Sequence, residues 1–245
     1  MGEMIAVLSG KGGTGKTSVC AGVAIALAGS GQKVLCIDCD VGLRNLDISL
    51  GLSDRNALSF LDVCEGRYPL SSAAVHPLFP TLSFLTAPMN RKAEEIDELQ
   101  FCQMLRQARE CFDYVLLDAP AGIEAGFRLA AKTADRIILV TGSDPASVRD
   151  AARTGDILEL MGKQNVRLVV NRLDPRMVAT MRLTIDDVMD DVGLPLLGIV
   201  PEDPGVTLAA AFGQSLTRYD KRSPAVLAYR RIANRIQSIP EPIRF

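Results

Sequence analysis

Tryptophan is absent from the 245 residues, aromatic side chains make up only 5% of them, and His76 is the single histidine. A chain so poor in aromatics offers few platforms on which nucleic-acid bases could stack. An excess of basic charge is missing as well. The 27 Lys and Arg are balanced by 29 Asp and Glu, for a formal net charge of −2, which argues against nucleic acid as a partner. No apolar run approaches the roughly 20 residues of a spanning helix. The opening Met1-Gly2-Glu3 leads straight into an apolar segment with no basic leader, and Ala6 stands where a myristoylation signal needs Ser or Thr. These absences predict a cytoplasmic protein whose membrane contact is at most peripheral. There are six cysteines, and Cys36 and Cys39 form a CxxC. No second CxxC or histidine pair completes a tetrahedral metal site, and Val34-Leu35-Cys36-Ile37 reads as a buried strand in which Cys packs as a small hydrophobe.

What is present is a balanced globular composition, 48% apolar and 23% charged, over a length suited to one α/β domain. Short Val/Ile/Leu-rich runs without strict alternation predict strands at Met4–Leu8, Lys33–Asp38, Thr81–Thr86, Asp113–Asp118, Arg136–Thr141, Val166–Asn171 and Leu194–Val200. Helical spacing predicts helices at Lys16–Ala28, Ala93–Cys111, Ala146–Leu160 and Ala225–Ile236. Arg67–Pro80, with three prolines and His76, reads as a surface connection. Alternating strands and helices with no linker predict an α/β fold. It is a single domain over residues 1–245, with a doubly wound, mostly parallel sheet covered by helices on both faces.

Gly10-Lys11-Gly12-Gly13-Thr14-Gly15-Lys16-Thr17 fits the P-loop pattern G-x-x-x-x-G-K-[ST]. It follows a predicted strand and opens a predicted helix, which is where its mechanism needs it. Glycines let backbone N–H groups converge, and the helix N-terminus adds positive potential. Lys16 is placed to reach the β- and γ-phosphates, and the Thr17 hydroxyl to bind Mg²⁺. Two strand ends offer carboxylates: Asp118 closes Tyr114-Val115-Leu116-Leu117-Asp118, and Asp38 and Asp40 close the second strand. One Asp at a strand end is often a turn residue. Two together beside a P-loop point to a nucleotide–Mg²⁺ site. Lys11 is an additional ammonium on the same loop. Spacing alone leaves it either solvated or directed at the phosphates of another subunit.

The segment Lys11–Thr17, KGGTGKT, is similar to the deviant Walker-A motif of the ParA/MinD superfamily. Asp40-Val41-Gly42-Leu43-Arg44-Asn45-Leu46-Asp47 and Asp118-Ala119-Pro120-Ala121-Gly122-Ile123-Glu124 resemble the two switch segments of its septum-placing MinD branch. Ser147-Val148-Arg149-Asp150, Asn171-Arg172 and Val200-Pro201-Glu202-Asp203 also fall in step with that family.

The resemblance implies an ATPase, slow on its own, with ATP/ADP and Mg²⁺ as nucleotide and cofactor. It implies that Lys11 crosses a homodimer interface and that Asp40 positions water. Gly10 to Ser18 would cradle phosphate, with Thr17, Asp38 and Asp118 near the metal. Asn171, Arg172, Pro201, Glu202 and Asp203 would hold the base. A surface including Arg44, Asn45, Ser147 and Asp150 would meet a MinC-like division inhibitor and a MinE-like activator. Related readings are a flagellar-number regulator of the FlhG kind, a ParA-like partition protein, or a metal-cluster ATPase. The family's usual terminal amphipathic helix has no counterpart after Glu241-Pro242-Ile243-Arg244-Phe245. The basic stretch Val226–Ile236 is read as the last helix of the fold.

Overall fold

The protein, seen in a computed structural model, is described for residues 1–41, 44–89, 91, 95–174, 176, 180 and 184–243. Its centre is an eight-stranded sheet in the order β3-β4-β2-β5-β1-β6-β7-β8. In chain order the strands are β1 (Glu3–Leu8), β2 (Val34–Asp38), β3 (Ala74–His76), β4 (Phe79–Leu85), β5 (Tyr114–Asp118), β6 (Arg136–Thr141), β7 (Val166–Leu173) and β8 (Leu196–Pro201). All pairings are parallel except β3 with β4. Side chains alternate across the sheet, and both sides are apolar. Met4, Ala6 and Leu8 enter one buried cluster, while Ile5 and Val7 enter the other. This double burial is why the strands read as continuous apolar runs.

One face is covered by α1 (Lys16–Gly29) and α10 (Pro224–Ile236), which pack on each other. The opposite face carries α4 (Glu98–Cys111), α5 (Ala125–Thr133), α6 (Pro145–Leu160) and α7 (Ile185–Val192). Shorter helices are α2 (Leu46–Leu50), α3 (Phe60–Cys64), α8 (Pro204–Ala211) and α9 (Leu216–Tyr219). In α10, Ala225, Val226, Ala228, Tyr229, Ile232, Ala233 and Ile236 are buried. The amphipathic stretch therefore spends its apolar face on the core, as expected from its sequence.

Cys36 and Cys39 lie in clusters on opposite faces of the sheet. The CxxC therefore cannot converge on one ion, and both buried thiols are packing groups; burial pushes the Cys39 thiol pKa up. The surface connection expected at Arg67–Pro80 is corrected. It holds the β3–β4 hairpin, with Pro77 in the turn and Pro80 at the second residue of β4. His76 is buried, not exposed. Its Nε2 donates to Leu50 O at 3.0 Å and its Nδ1 accepts from Leu78 N at 3.1 Å, which requires the neutral ring. Three prolines suggested a loop, yet Pro69 stands just before a short 3-10 turn, Pro77 lies in the hairpin turn, and Pro80 falls in the irregular stretch of β4 before its pairing with β2 begins at Leu82. The long acidic helix starts later than expected, at Glu98, because Asp97 caps it by accepting from Leu99 N and Gln100 N. Ala93 and Glu94 of that expected helix lie outside the described residues.

Candidate nucleotide site

The chain leaves β1 to one side of the sheet and returns through β5 to β6 on the other. β1 is therefore flanked by β5 and β6, and the strand order reverses there. Open α/β sheets form their ligand crevice outside the carboxyl ends of the strands at such a switch point. The Gly10–Thr17 loop sits there. Gly13 and Gly15 both have φ of 81°, in the left-handed region. At Gly15 a Cβ would meet Asn171 Nδ2 at 2.3 Å, and at Gly10 it would meet Thr154 Oγ1 at 2.4 Å and Asp150 O at 2.6 Å. The loop is thus clamped between β7 and α6 with no room for side chains at those two points. Gly15 provides no side-chain cap for α1, and no acidic residue lies in its first turn. Its leading N–H groups and dipole are left for an anion. The Thr14 hydroxyl is buried with no hydrogen-bond partner among the described residues. An oxyanion at the loop would satisfy both features.

Lys16 is 6% exposed and its Nζ lies 2.5 Å from Asp118 Oδ1, itself 1% exposed. Burial acts to lower the lysine pKa, but the Asp118 charge and hydrogen bond outweigh it and the net shift is upward. Nζ is also 3.5 Å from the Thr17 hydroxyl. Asp38 and Asp118 end adjacent strands in direct register. Burial, followed by the Asp118 charge, raises Asp38 to about 7. Its carboxylate accepts from Asp40 N at 3.0 Å and from Asn45 N and Leu46 N at 3.2 Å. It therefore organises the segment that carries Asp40, whose own pKa is raised by burial. Two facing carboxylates beside a hydroxyl form an oxygen donor set that suits Mg²⁺, and a divalent cation would relieve their repulsion.

On the other flank a cavity of about 290 Å³ is lined by Lys11 to Thr14, Gly142 to Asp144, Ser147, Arg172, Asp174 and Glu202. Asn171 is buried and donates through Nδ2 to Thr14 O at 2.7 Å. Arg172, at φ 56°, donates to Gly13 O at 3.3 Å and pairs with Glu202 at 2.9 Å. Asn171 and Arg172 therefore brace the phosphate loop, a role their sequence spacing did not disclose. The Asp203 carboxylate accepts from Gly205 N, Ala225 N and Ser223 Oγ, so it caps α8 and ties down the start of α10. Lys11 is 44% exposed and 3.7 Å from Asp144, which is 54% exposed.

The surface expectation for Ser147 is corrected. It is buried, and its hydroxyl donates to Asp144, the N-cap of α6. Arg149 is exposed and Asp150 half-buried on that helix, while Asn45 is exposed and Arg44 pairs with Asp47 at 3.2 Å.

A glycine-clamped anion loop at the switch point, with a buried lysine and paired carboxylates, defines a P-loop nucleotide-binding domain. The CobQ/CobB/MinD/ParA nucleotide binding domain family matches residues 5–216. Within that class the chain belongs to the septum site-determining MinD family. It is 40% identical over 244 residues to septum site-determining protein MinD of Synechocystis sp., covering 98% of this chain and 92% of that one. It is 38% identical over 248 residues to MinD of Bacillus subtilis, covering 98% and 91%. Among solved structures it superposes with a TM-score of 0.91 on the MinC:MinD cell division protein complex of Aquifex aeolicus, at 36% identity and 99% coverage of both chains. The Pyrococcus horikoshii MinD complexed with Mg-ADP gives 0.81 at 26% identity, covering 98% and 97%. The chain is a MinD-like ATPase of division-site placement. No helix among the described residues is long and apolar enough to cross a membrane.

Proposed function

We propose that this ATPase works as a dimer-dependent switch. ATP would close two copies across the P-loop face, and hydrolysis would release them. The observation that carries this is the contrast between the two lysines of one loop. Lys16 is buried and engaged by Asp118, whereas Lys11 stands in solvent with only a loose contact to an exposed carboxylate. A cation so placed has little to do within its own subunit and is free to neutralise phosphate charge in another.

In the monomer, Lys16, the loop N–H groups and the Thr14 hydroxyl bind and orient the phosphates. Asp40 holds water for in-line attack, because Asp38 fixes its backbone beside the site. Thr17, Asp38 and Asp118 would hold Mg²⁺, which when bound would supply positive charge to neutralise the phosphates. Asn171, Arg172 and the Pro201–Asp203 backbone set the position of the base. Basal hydrolysis is slow because one charge-neutralising group arrives only with the partner copy.

The exposed Asn45 and Arg149, with Arg44 and Asp150 beside them, form the surface for a MinC-like inhibitor and a MinE-like activator. That surface touches the site directly, since Asp38 bonds Asn45 N and α6 abuts Gly10. Closure around the γ-phosphate can therefore reshape it. The test is ATP turnover per subunit against protein concentration, for the parent and Lys11→Ala. The parent should gain specific activity as it dimerises, and the variant should stay at the dilute rate while still binding nucleotide. Equal concentration dependence in both would remove the trans role of Lys11.

A further inference from the structure

A groove of about 960 Å³ between α1 and α10 lies apart from the nucleotide site, bordered also by the β3–β4 turn and α9. It shares no lining residue with the cavity at the phosphate loop. Its floor is apolar, from Ile25 of α1, Phe79 of β4 and Val226 of α10, and Leu78 at its edge is 51% exposed. Its walls carry Arg55, Arg218, Lys221 and Arg230, contributed by three different stretches of chain, and no Asp or Glu lines it. Among the described residues none of these four cations forms an ion pair. In a protein of net charge −2, four exposed cations gathered around a partly apolar groove are a local reversal of the overall balance.

We propose that this groove docks an acidic amphipathic helix of a partner protein, separately from the nucleotide-gated surface. Length and charge distribution set the occupant. Along α10 the groove runs from Val226 through Arg230 to Asn234, which at 1.5 Å per residue is about 12 Å, or roughly two turns of a bound helix. A groove of about 960 Å³ is far larger than a lone phosphate or carboxylate head. Four cations drawn from three stretches of wall instead match several carboxylates spaced along a helix whose apolar stripe lies on the floor. The small residues Ala26 and Gly29 of α1 keep that floor open to a close-lying backbone, since a Cβ at Gly29 would meet only Phe79, at 4.0 Å.

The probe is a synthetic peptide of about 14 residues, with leucines at spacings of three and four and glutamates elsewhere. It is titrated by fluorescence anisotropy into the full chain and into Arg218→Glu/Arg230→Glu. A scrambled peptide of the same composition, a lysine-for-glutamate version, and phosphatidylglycerol vesicles complete the set. The parent should bind the amphipathic acidic peptide, with affinity falling as salt rises, and the scrambled peptide at least about tenfold more weakly. The charge-reversed protein should lose about tenfold toward the acidic peptide and gain for the lysine peptide, which also shows that it is folded. Unchanged affinity in the variant, equal binding of the scrambled peptide, or binding of vesicles without binding of peptide would each overturn the proposal.

Discussion

Replacing Asp118 by Asn tests the electrostatic core of the site. In the free protein Lys16 and Asp118 form a buried pair at 2.5 Å, with 6% and 1% exposure. Removing one partner of such a pair costs about 3–5 kcal/mol, because the other charge stays buried without compensation. For a chain of this size each 1 kcal/mol moves Tm by about 2–4 °C. Lys16 can limit the loss by shedding its proton once its counter-charge is gone, so the lower part of the range applies, a fall of about 6–12 °C. Nucleotide phosphates offer Lys16 a new anionic partner. Saturating ATP with Mg²⁺ chelated, which leaves the metal role of Asp118 out of the comparison, should therefore restore part of that fall beyond the ordinary ligand stabilisation of the parent. The assay is thermal unfolding of parent and variant, with and without metal-free ATP. A Lys16→Met/Asp118→Leu double variant should recover most of the apo stability, since matched apolar groups replace a buried pair at little cost. An apo Tm for Asp118→Asn within about 2 °C of the parent, or an equal deficit with and without nucleotide, would falsify this account of the pair.

Two further outcomes follow from particular contacts. Asn171→Ala removes the bond to Thr14 O and should weaken ATP and ADP alike, by about fivefold for roughly 1 kcal/mol. Asn171→Asp should be worse, because it sets a carboxylate against a carbonyl oxygen, and a fluorescent-nucleotide titration showing parental affinity in the Asp variant would contradict the bracing role. For His76, burial holds the ring pKa below 6.5, with the Leu50 carbonyl acting in the opposite sense and Arg55 lowering it further. A base whose folded pKa is depressed contributes stability that is present above its unfolded pKa and lost as pH falls. The parent Tm should therefore drop from pH 7 to pH 5 more steeply than that of His76→Gln, and parallel curves would exclude the effect.

Much of the site could be read in the sequence because its chemistry is local. The phosphate loop needs glycines, a lysine and a hydroxyl within one strand–turn–helix, and the chain writes them consecutively from Gly10 to Thr17. The parallel sheet was legible for a similar reason, since strands buried on both faces leave uninterrupted Val, Ile and Leu. The hairpin at Ala74–Leu85 was not, because its prolines are tolerated only where the ladder leaves them out, Pro77 in the turn and Pro80 ahead of the first β2 pairing at Leu82, and register is a property of neighbours.

Motif and composition by themselves determined that this chain binds a nucleotide at the end of its first strand, and which lysine is supernumerary. Tertiary structure alone decided what each group is free to do. Packing buried Ser147 and His76, took the Asp203 carboxylate for capping, and turned Asn171 onto the Thr14 carbonyl. Burial of Asp38, together with the register that sets it against Asp118, raised its pKa. The fold gathered cations from three stretches of chain around one groove. Burial and pairing depend on residues far apart in the chain, and no local pattern records which of them will meet.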